Sequence, residues 1–290
     1  MKLVRFGAPG HERPGVWLEN TPADGGDGIL DVRGMAFDIE DFDAHFFSHW
    51  GLDRLRALCA EPDRKLVPAA GVRLGPPIAR PGKIICLGKN YADHAVEFDS
   101  EIPEIPILFS KAATSVIGPF DPIVLPKNSG SVDCEVELAI VMGKRTKGVS
   151  EKAAMDHVAG FTVLNDVTDR EVQKAGKQWF RAKSFDTFCP LGPFLMTKEE
   201  IADPQNLRLY SKVNGITLQD SNTAHMIFKI AYLISFISST ITLEPGDVIA
   251  TGTPGGIGSA RKPPLFLRPG DKAEIGVEQV GTQISPVVSA

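Results

Sequence analysis

Ser131-Val132-Asp133-Cys134-Glu135-Val136-Glu137-Leu138-Ala139-Ile140-Val141-Met142 alternates strictly at its start, which is the period of a β-strand. Side chains two apart share a face, so Val132, Cys134, Val136, Leu138, Ile140 and Met142 form one apolar face, and Asp133, Glu135 and Glu137 share the other. A strand of this look ordinarily turns its polar face to water. Here that face continues as Ala139 and Val141, so its far half reads as covered. Like charges at i and i+2 repel, and covered carboxylates need a counter-charge. An E-x-E pair at the edge of a buried surface suits a hard divalent cation.

The 290 residues around this strand are 43% hydrophobic and 23% charged, an ordinary globular composition with room for a large domain and a small one. With a formal net charge of −5 and no basic run, nucleic acid is not an expected partner. Residues 1–10 lack the apolar run of a signal peptide. The longest apolar run, 226–237, contains Lys229 and is too short to span a bilayer. The expectation is a cytoplasmic protein with no membrane partner. Cys59, Cys86, Cys134 and Cys189 show no C-x-x-C spacing and read as reduced core residues.

Residues 1–75 read as a small N-terminal α+β domain, with short strands at 2–6, 16–18 and 29–32 and helices at 38–50 and 53–59. His45 and His49, at i and i+4, have a spacing that could hold a metal, but Phe46, Phe47 and Trp50 around them favour packing. Pro62, Pro68, Pro76, Pro77 and Pro81 mark a linker into a second domain, 76–290. There, strands are expected at 84–88, 107–109, 123–125, 161–164 and 248–250. Asn90 caps a short helix carrying Tyr91, His94 and Glu97, and the acidic, proline-containing stretch 98–106 is a candidate lid. Asn214-Gly215 predicts a type I′ hairpin, and 223–238 an amphipathic helix with Met226, Ile230, Leu233 and Ile237 facing the core. Strands outnumber helices without steady β-α alternation. The fold class is therefore α+β, mostly β, with an antiparallel or mixed sheet architecture.

Gly252-x-x-Gly255-Gly256-x-Gly258 follows a strand but lacks dinucleotide-binding spacing, and 141–146 lacks the first glycine of a P-loop, so both nucleotide readings fail. The glycine loop reads as a tight turn, compatible with lining a site where N–H groups and Thr253 point at an anion. No G-x-S-x-G or H-E-x-x-H occurs. Glu135 and Glu137 offer two oxygen ligands, and Asp166, after a strand ending in Asn165-Asp166, a third. Three carboxylates describe a Mg²⁺ or Mn²⁺ site, with Ca²⁺ compatible, whereas zinc would want His or Cys. E-x-E pairs are also common on wet strands. His94 and Glu97 share a helix face, which suits a general base and its orienting carboxylate, although a surface ion pair is the commoner use of that spacing. Lys183, after an aromatic pair, could bind an anion or simply snorkel. Arg170 and Gln173, at i and i+3 just after Asp166, could face the same cavity.

Several of these segments together resemble the fumarylacetoacetate hydrolase family. They are Gly88-Lys89-Asn90-Tyr91-x-x-His94-x-x-Glu97, Asp133-x-Glu135-x-Glu137-Leu138-Ala139, Asn165-Asp166-Val167-Thr168-x-Arg170, Lys183-Ser184-Phe185-Asp186, Pro190-Leu191-Gly192-Pro193, Val213-Asn214-Gly215 and Pro245-Gly246-Asp247-x-Ile249-x-Thr251-Gly252-Thr253-Pro254. They run in order over roughly residues 80–285. The resemblance implies a mixed β-sandwich roll, usually as a homodimer, and a divalent metal held by Glu135, Glu137 and Asp166. It implies a His94–Glu97 dyad on a lid and Lys183 beside the metal, making His94, Glu97 and Lys183 the catalytic candidates. Tyr91, Arg170, Gln173 and Thr253 are the substrate-binding candidates.

Relatives of this kind act on 2-oxo acids bearing a second carbonyl. The metal would steady an enolate as a Lewis acid, Lys183 would add a positive group, and His94 would activate water. The expectation is thus a metal-dependent C–C hydrolase of an acylpyruvate or diketo (sugar) acid. The alternative is an oxaloacetate-type 2-oxo acid decarboxylase or tautomerase, and one from another class is a non-catalytic scaffold. The Pro263-Pro264-Leu265-Phe266-Leu267 insertion keeps the alternative enzyme close, because it resembles a branch that includes decarboxylases.

Overall fold

Every residue of the strand Val136–Met142 is buried. Val136, Leu138, Ile140 and Met142 point into one apolar cluster, and Ala139 and Val141 into a second on the opposite face. The strand is therefore sandwiched between two layers, which is why its polar face carries apolar residues beyond Glu137. The computed structural model describes residues 1–21, 26–97 and 102–290, with the side chains of 94–96 outside that description.

Among the described residues, Val136–Met142 lies near the middle of an eleven-stranded mixed sheet. Its order is Leu66–Pro68, Gly28–Asp31, Arg13–Leu18, Lys2–Phe6, Leu195–Thr197, Val158–Asn165, Val136–Met142, Val248–Ala250, Ile84–Gly88 and Ile107–Lys111, with Leu74–Gly75 pairing Lys2–Phe6. The pairing of Val248–Ala250 with Ile84–Gly88 is parallel, and the other pairings are antiparallel. A second sheet of five strands runs Ile216–Asn222, Arg208–Val213, Lys272–Val277, Gly281–Ser289 and Ile123–Leu125. Leu209, Val213, Ala273, Ile275 and Val277 from this sheet share one core with Leu138, Ile140, Phe161 and Val163 from the larger one. Both sheets are open, and the whole is a mostly β, mixed sandwich, as the sequence predicts.

The Asn214-Gly215 turn has φ of 51° and 80°, the left-handed pair that a type I′ hairpin needs. The helix expected over 223–238 is divided into a 3₁₀ turn, Thr223–His225, and the helix Ile230–Thr240. Asn90 causes the break: its side chain accepts from Phe228 N (2.8 Å) and donates to Phe228 O (3.1 Å), holding those groups out of a helix. The helix expected over 38–50 is confined to Ala44–Ser48, capped by Asp43. His45 and His49 stack there with ring centroids 4.2 Å apart and, among the described residues, belong to no cluster of three metal-ligating groups. The proline-rich linker is a correction. Leu66–Pro68 and Leu74–Gly75 pair into the large sheet and Ile78 is fully buried, because the prolines fall at strand ends and turns. Of the lid expected over 98–106, residues 98–101 lie outside the described residues.

All four cysteines are free thiols, and burial pushes Cys134 and Cys189 up to about 12, which leaves them unreactive core residues. No described helix is long and apolar enough to cross a membrane.

Candidate metal centre

The backbone delivers three carboxylates to one point. Val136 pairs with Asn165 across the sheet, and Asp166 N donates to Glu135 O at 3.0 Å, so Glu135 and Asp166 face each other where the two strands end. Glu137 lies two residues along on the same face. One ligand oxygen from each of Glu135, Glu137 and Asp166 lies within 4.8 Å of the others, and all three side chains are buried.

Buried anions require partners. Lys183 Nζ donates to Glu135 Oε2 (2.7 Å) and Asp166 Oδ2 (2.6 Å). Lys111 Nζ holds the other oxygen of Asp166 at 2.6 Å and also donates to the Val167 and Lys183 carbonyls. Arg170 donates from Nε to Asp133 Oδ1 (2.7 Å) and from Nη2 to Glu135 Oε1. Burial works to lower the Lys183 pKa, but the charges of Asp166 and Glu135 outweigh it and hold the amine above its ordinary value. Lys183 is thus a fixed ammonium and not a base.

Glu137 is the exception. Among the described residues its carboxylate accepts one hydrogen bond, from Gly252 N at 2.8 Å, and no cationic side chain bonds it. Burial, then the charges of Asp166 and Glu135, pushes its pKa well above the ordinary carboxylate value. Among the described residues, four buried carboxylates (Asp133, Glu135, Glu137, Asp166) gather here, and three cations (Lys111, Arg170, Lys183) bond the first, second and fourth of them. An all-oxygen trio with its oxygens this close fits a hard divalent ion such as Mg²⁺ or Mn²⁺, and contains no thiolate or imidazole to favour zinc.

The glycine loop supports the trio from behind. Gly252 has φ of 93°, and a Cβ there would meet Asn90 Cβ at 2.8 Å, so only glycine brings its N–H to Glu137 without strain. Asn90 also donates to Thr251 O (2.7 Å), and Gln219, almost fully buried, donates to Thr253 Oγ1 (2.7 Å) and Pro254 O (2.8 Å). Gly256 N donates to Glu97 Oε1 at 2.6 Å. The anions faced by this loop's N–H groups are therefore the protein's own carboxylates.

In front of the trio lies a cavity of about 350 Å³ lined by Leu87, Gly88, Lys89, Phe109, Glu135, Glu137, Arg170, Gln173, Lys174, Trp179, Lys183 and Thr253. Of the substrate-binding candidates, Arg170, Gln173 and Thr253 reach it. Arg170 is largely committed to Asp133, Glu135 and Gln173 (3.1 Å), and the Thr253 hydroxyl donates to Val136 O (2.9 Å). Both of these build the scaffold of the site. Tyr91 is not in the cavity wall. It is wholly buried, and its hydroxyl has no hydrogen-bond partner among the described residues. Burial, then the charges of Glu137 and Asp93, keeps it a neutral phenol. Glu97 sits on the helix Ala92–Glu97, while the His94 side chain lies outside the described residues. Lys111 and Gln219 carry parts of the site that no sequence pattern singles out, and Asp133 and Asn90 do more than the strand face and helix cap expected of them. For Lys111 and Gln219 the one signal is polarity inside or beside an apolar strand.

Residues 83–288 match the family described as fumarylacetoacetate (FAA) hydrolase, C-terminal. The mitochondrial oxaloacetate tautomerase of Rattus norvegicus is 45% identical over 99% of this chain and 92% of its own length. A fumarylacetoacetate hydrolase structure from the psychrophile Exiguobacterium antarcticum is 34% identical, with TM-score 0.83 and full coverage of both chains. The maleylpyruvate hydrolase of Sphingobium sp. SYK-6 is 31% identical, with TM-score 0.81 and full coverage of both.

Proposed function

Because the chain belongs to the fumarylacetoacetate hydrolase family, we propose that it interconverts the keto and enol forms of a 2-oxo acid, oxaloacetate being the first candidate. The observation that carries this reading is the likeness, over nearly the whole chain, to a relative named for oxaloacetate tautomerisation. It favours the alternative drawn from the sequence over C–C hydrolysis.

Enolisation breaks the C3–H bond, moves that electron pair into a C2=C3 double bond, and places the carbonyl pair and a proton on the C2 oxygen. A divalent cation held by Glu135, Glu137 and Asp166 would supply Lewis acidity for that oxygen. Lys183 adds a fixed positive charge to the same pocket, because two carboxylates keep it protonated. Arg170 and Lys111 lock Glu135 and Asp166 in place, so the charges are preorganised before substrate arrives. Phe109 and Trp179, with ring centroids 5.3 Å apart, form an apolar wall that limits water at the reacting carbon. His94 is the proposed base for the C3 proton, on a helix that Glu97 ties to the glycine loop.

Hydrolysis of an acylpyruvate is the second reading, supported by the likeness to the maleylpyruvate hydrolase. It uses the same charge at the C2 oxygen and adds an attacking water. The test supplies enol oxaloacetate to the Mg²⁺-loaded protein and follows loss of the enol by ultraviolet absorbance. Ketonisation faster than with Mg²⁺ alone, slowed on the order of 10²–10⁴-fold by His94→Ala, is expected. No acceleration, with pyruvate and a carboxylic acid released from an acylpyruvate, overturns the first reading in favour of the second.

A further inference from the structure

We propose that Lys89 and Lys174 form the subsite for a distal carboxylate, so that the cavity selects 2-oxo dicarboxylates over 2-oxo acids with an uncharged tail. The inference rests on the keto–enol reading of the site and deepens it.

Four cationic side chains line the cavity, and two of them are committed: Arg170 to Asp133 and Glu135, and Lys183 to Glu135 and Asp166. Among the described residues, Lys89 and Lys174 have no hydrogen-bond or ion-pair partner. The inner end of the cavity is thus closed by carboxylates and their counter-charges, and the unpaired positive charge belongs to the other two lysines.

The backbone of each is fixed by its surroundings, with Lys89 half-buried and Lys174 exposed at the cavity mouth. Lys174 follows Arg170 by four residues on the helix Arg170–Ala175, so the two share a face, with Lys174 about 6 Å further along the axis. Arg170 is pinned to Glu135, which fixes where that helix places Lys174. Lys89 has φ of 55°, a left-handed conformation that costs a lysine energy and is characteristic of ligand clamps. Its neighbours enforce it. A Cβ on Gly88 would lie 2.5 Å from Trp179, so the strand Ile84–Gly88 ends flush against that ring. On the other side Asn90 is bonded to Thr251 and Phe228. The apolar wall of Phe109 and Trp179 covers the middle of a bound chain. A tail ending in methyl offers these two ammonium groups no anion, whereas a terminal carboxylate would offer one.

Malate and 2-hydroxybutyrate differ only in the distal group, carboxylate against methyl. Calorimetry on the Mn²⁺-loaded protein is expected to show malate bound at least tenfold more tightly. Lys174→Met and Lys89→Met should each weaken malate about tenfold and 2-hydroxybutyrate less than twofold, with Mn²⁺ affinity held and Lys174→Arg restoring most of the loss. Equal affinity of the wild type for the two ligands, or equal losses in the variants, overturns the subsite. If malate depends on the lysines while oxaloacetate is not tautomerised, the subsite stands and the keto–enol reading falls.

Discussion

Asp166 is gripped on both oxygens, by Lys111 on one and Lys183 on the other, and both lysines are almost fully buried. Removing one partner of such a buried pair leaves an uncompensated charge, which typically costs about 3–5 kcal/mol. Lys111→Met should therefore destabilise the cation-free protein by about that much in urea unfolding, and an effect below about 1 kcal/mol would show that Lys111 is not a structural counter-ion. Glu137 gives the opposite kind of signature. Its folded pKa lies above the value of 4.5 for a free glutamate, so the folded state binds the proton more tightly than the unfolded chain. Its contribution to stability is full below 4.5 and is lost as pH rises through the raised pKa. Stability of the cation-free protein should thus fall over that window. Saturating Mn²⁺ should flatten the fall, because the ion takes the place of the proton, and an equal slope with and without Mn²⁺ would contradict the assignment. The two glutamates were legible because E-x-E alternation puts them on one face, while their convergence with Asp166, at the end of another strand, was what the family resemblance implied. Lys111 was not legible, because a lysine after Ile107-Leu108-Phe109 reads the same whether it snorkels to water or turns inward to an acid 55 residues away.

The glycine loop shows how one element can be shaped by side chains remote in sequence. Asn90 makes hydrogen bonds to Thr251 O, Phe228 O and Phe228 N, joining the start of one helix, the loop and the approach to another. Asn90→Ala should cost about 3 kcal/mol, near 1 per hydrogen bond, and should weaken Mn²⁺ binding because the loop beside Gly252 loses its anchor at Thr251 O. Chemical denaturation and a Mn²⁺ titration on the same variant check both, and unchanged Mn²⁺ affinity would show that the Asn90 anchor does not position the loop for Glu137. The hairpin at Asn214-Gly215 was readable because the turn chemistry is local. The division of 223–238 was not, because the apolar stripe at helical spacing continues through Met226 and Ile230 while the force that opens the backbone comes from Asn90, 138 residues away. The prolines of 62–81 misled for a related reason: proline forbids the middle of a sheet and permits its edges.

Over the whole molecule, the N-terminal strands are hydrogen-bonded into the sheet that carries the acid strand, through Lys2–Phe6 and Leu195–Thr197. Leu3, Phe42, Phe46 and Phe47 share an apolar cluster with Ala139, Val141 and Leu195. Residues 76–290 alone would expose that cluster and an unpaired strand edge, and should be recovered as aggregate. Recovery of a soluble fragment that binds Mn²⁺ as the full chain does would show the N-terminal strands to be dispensable. The sandwich itself brings two strand ends together over buried charge, which a divalent cation would balance. Isothermal titration of Mn²⁺ into the full chain and into Glu137→Gln tests this most directly. One ion per chain, with affinity at least a hundredfold weaker in the variant, is the expected result; no binding, or equal affinity in both proteins, would contradict the account.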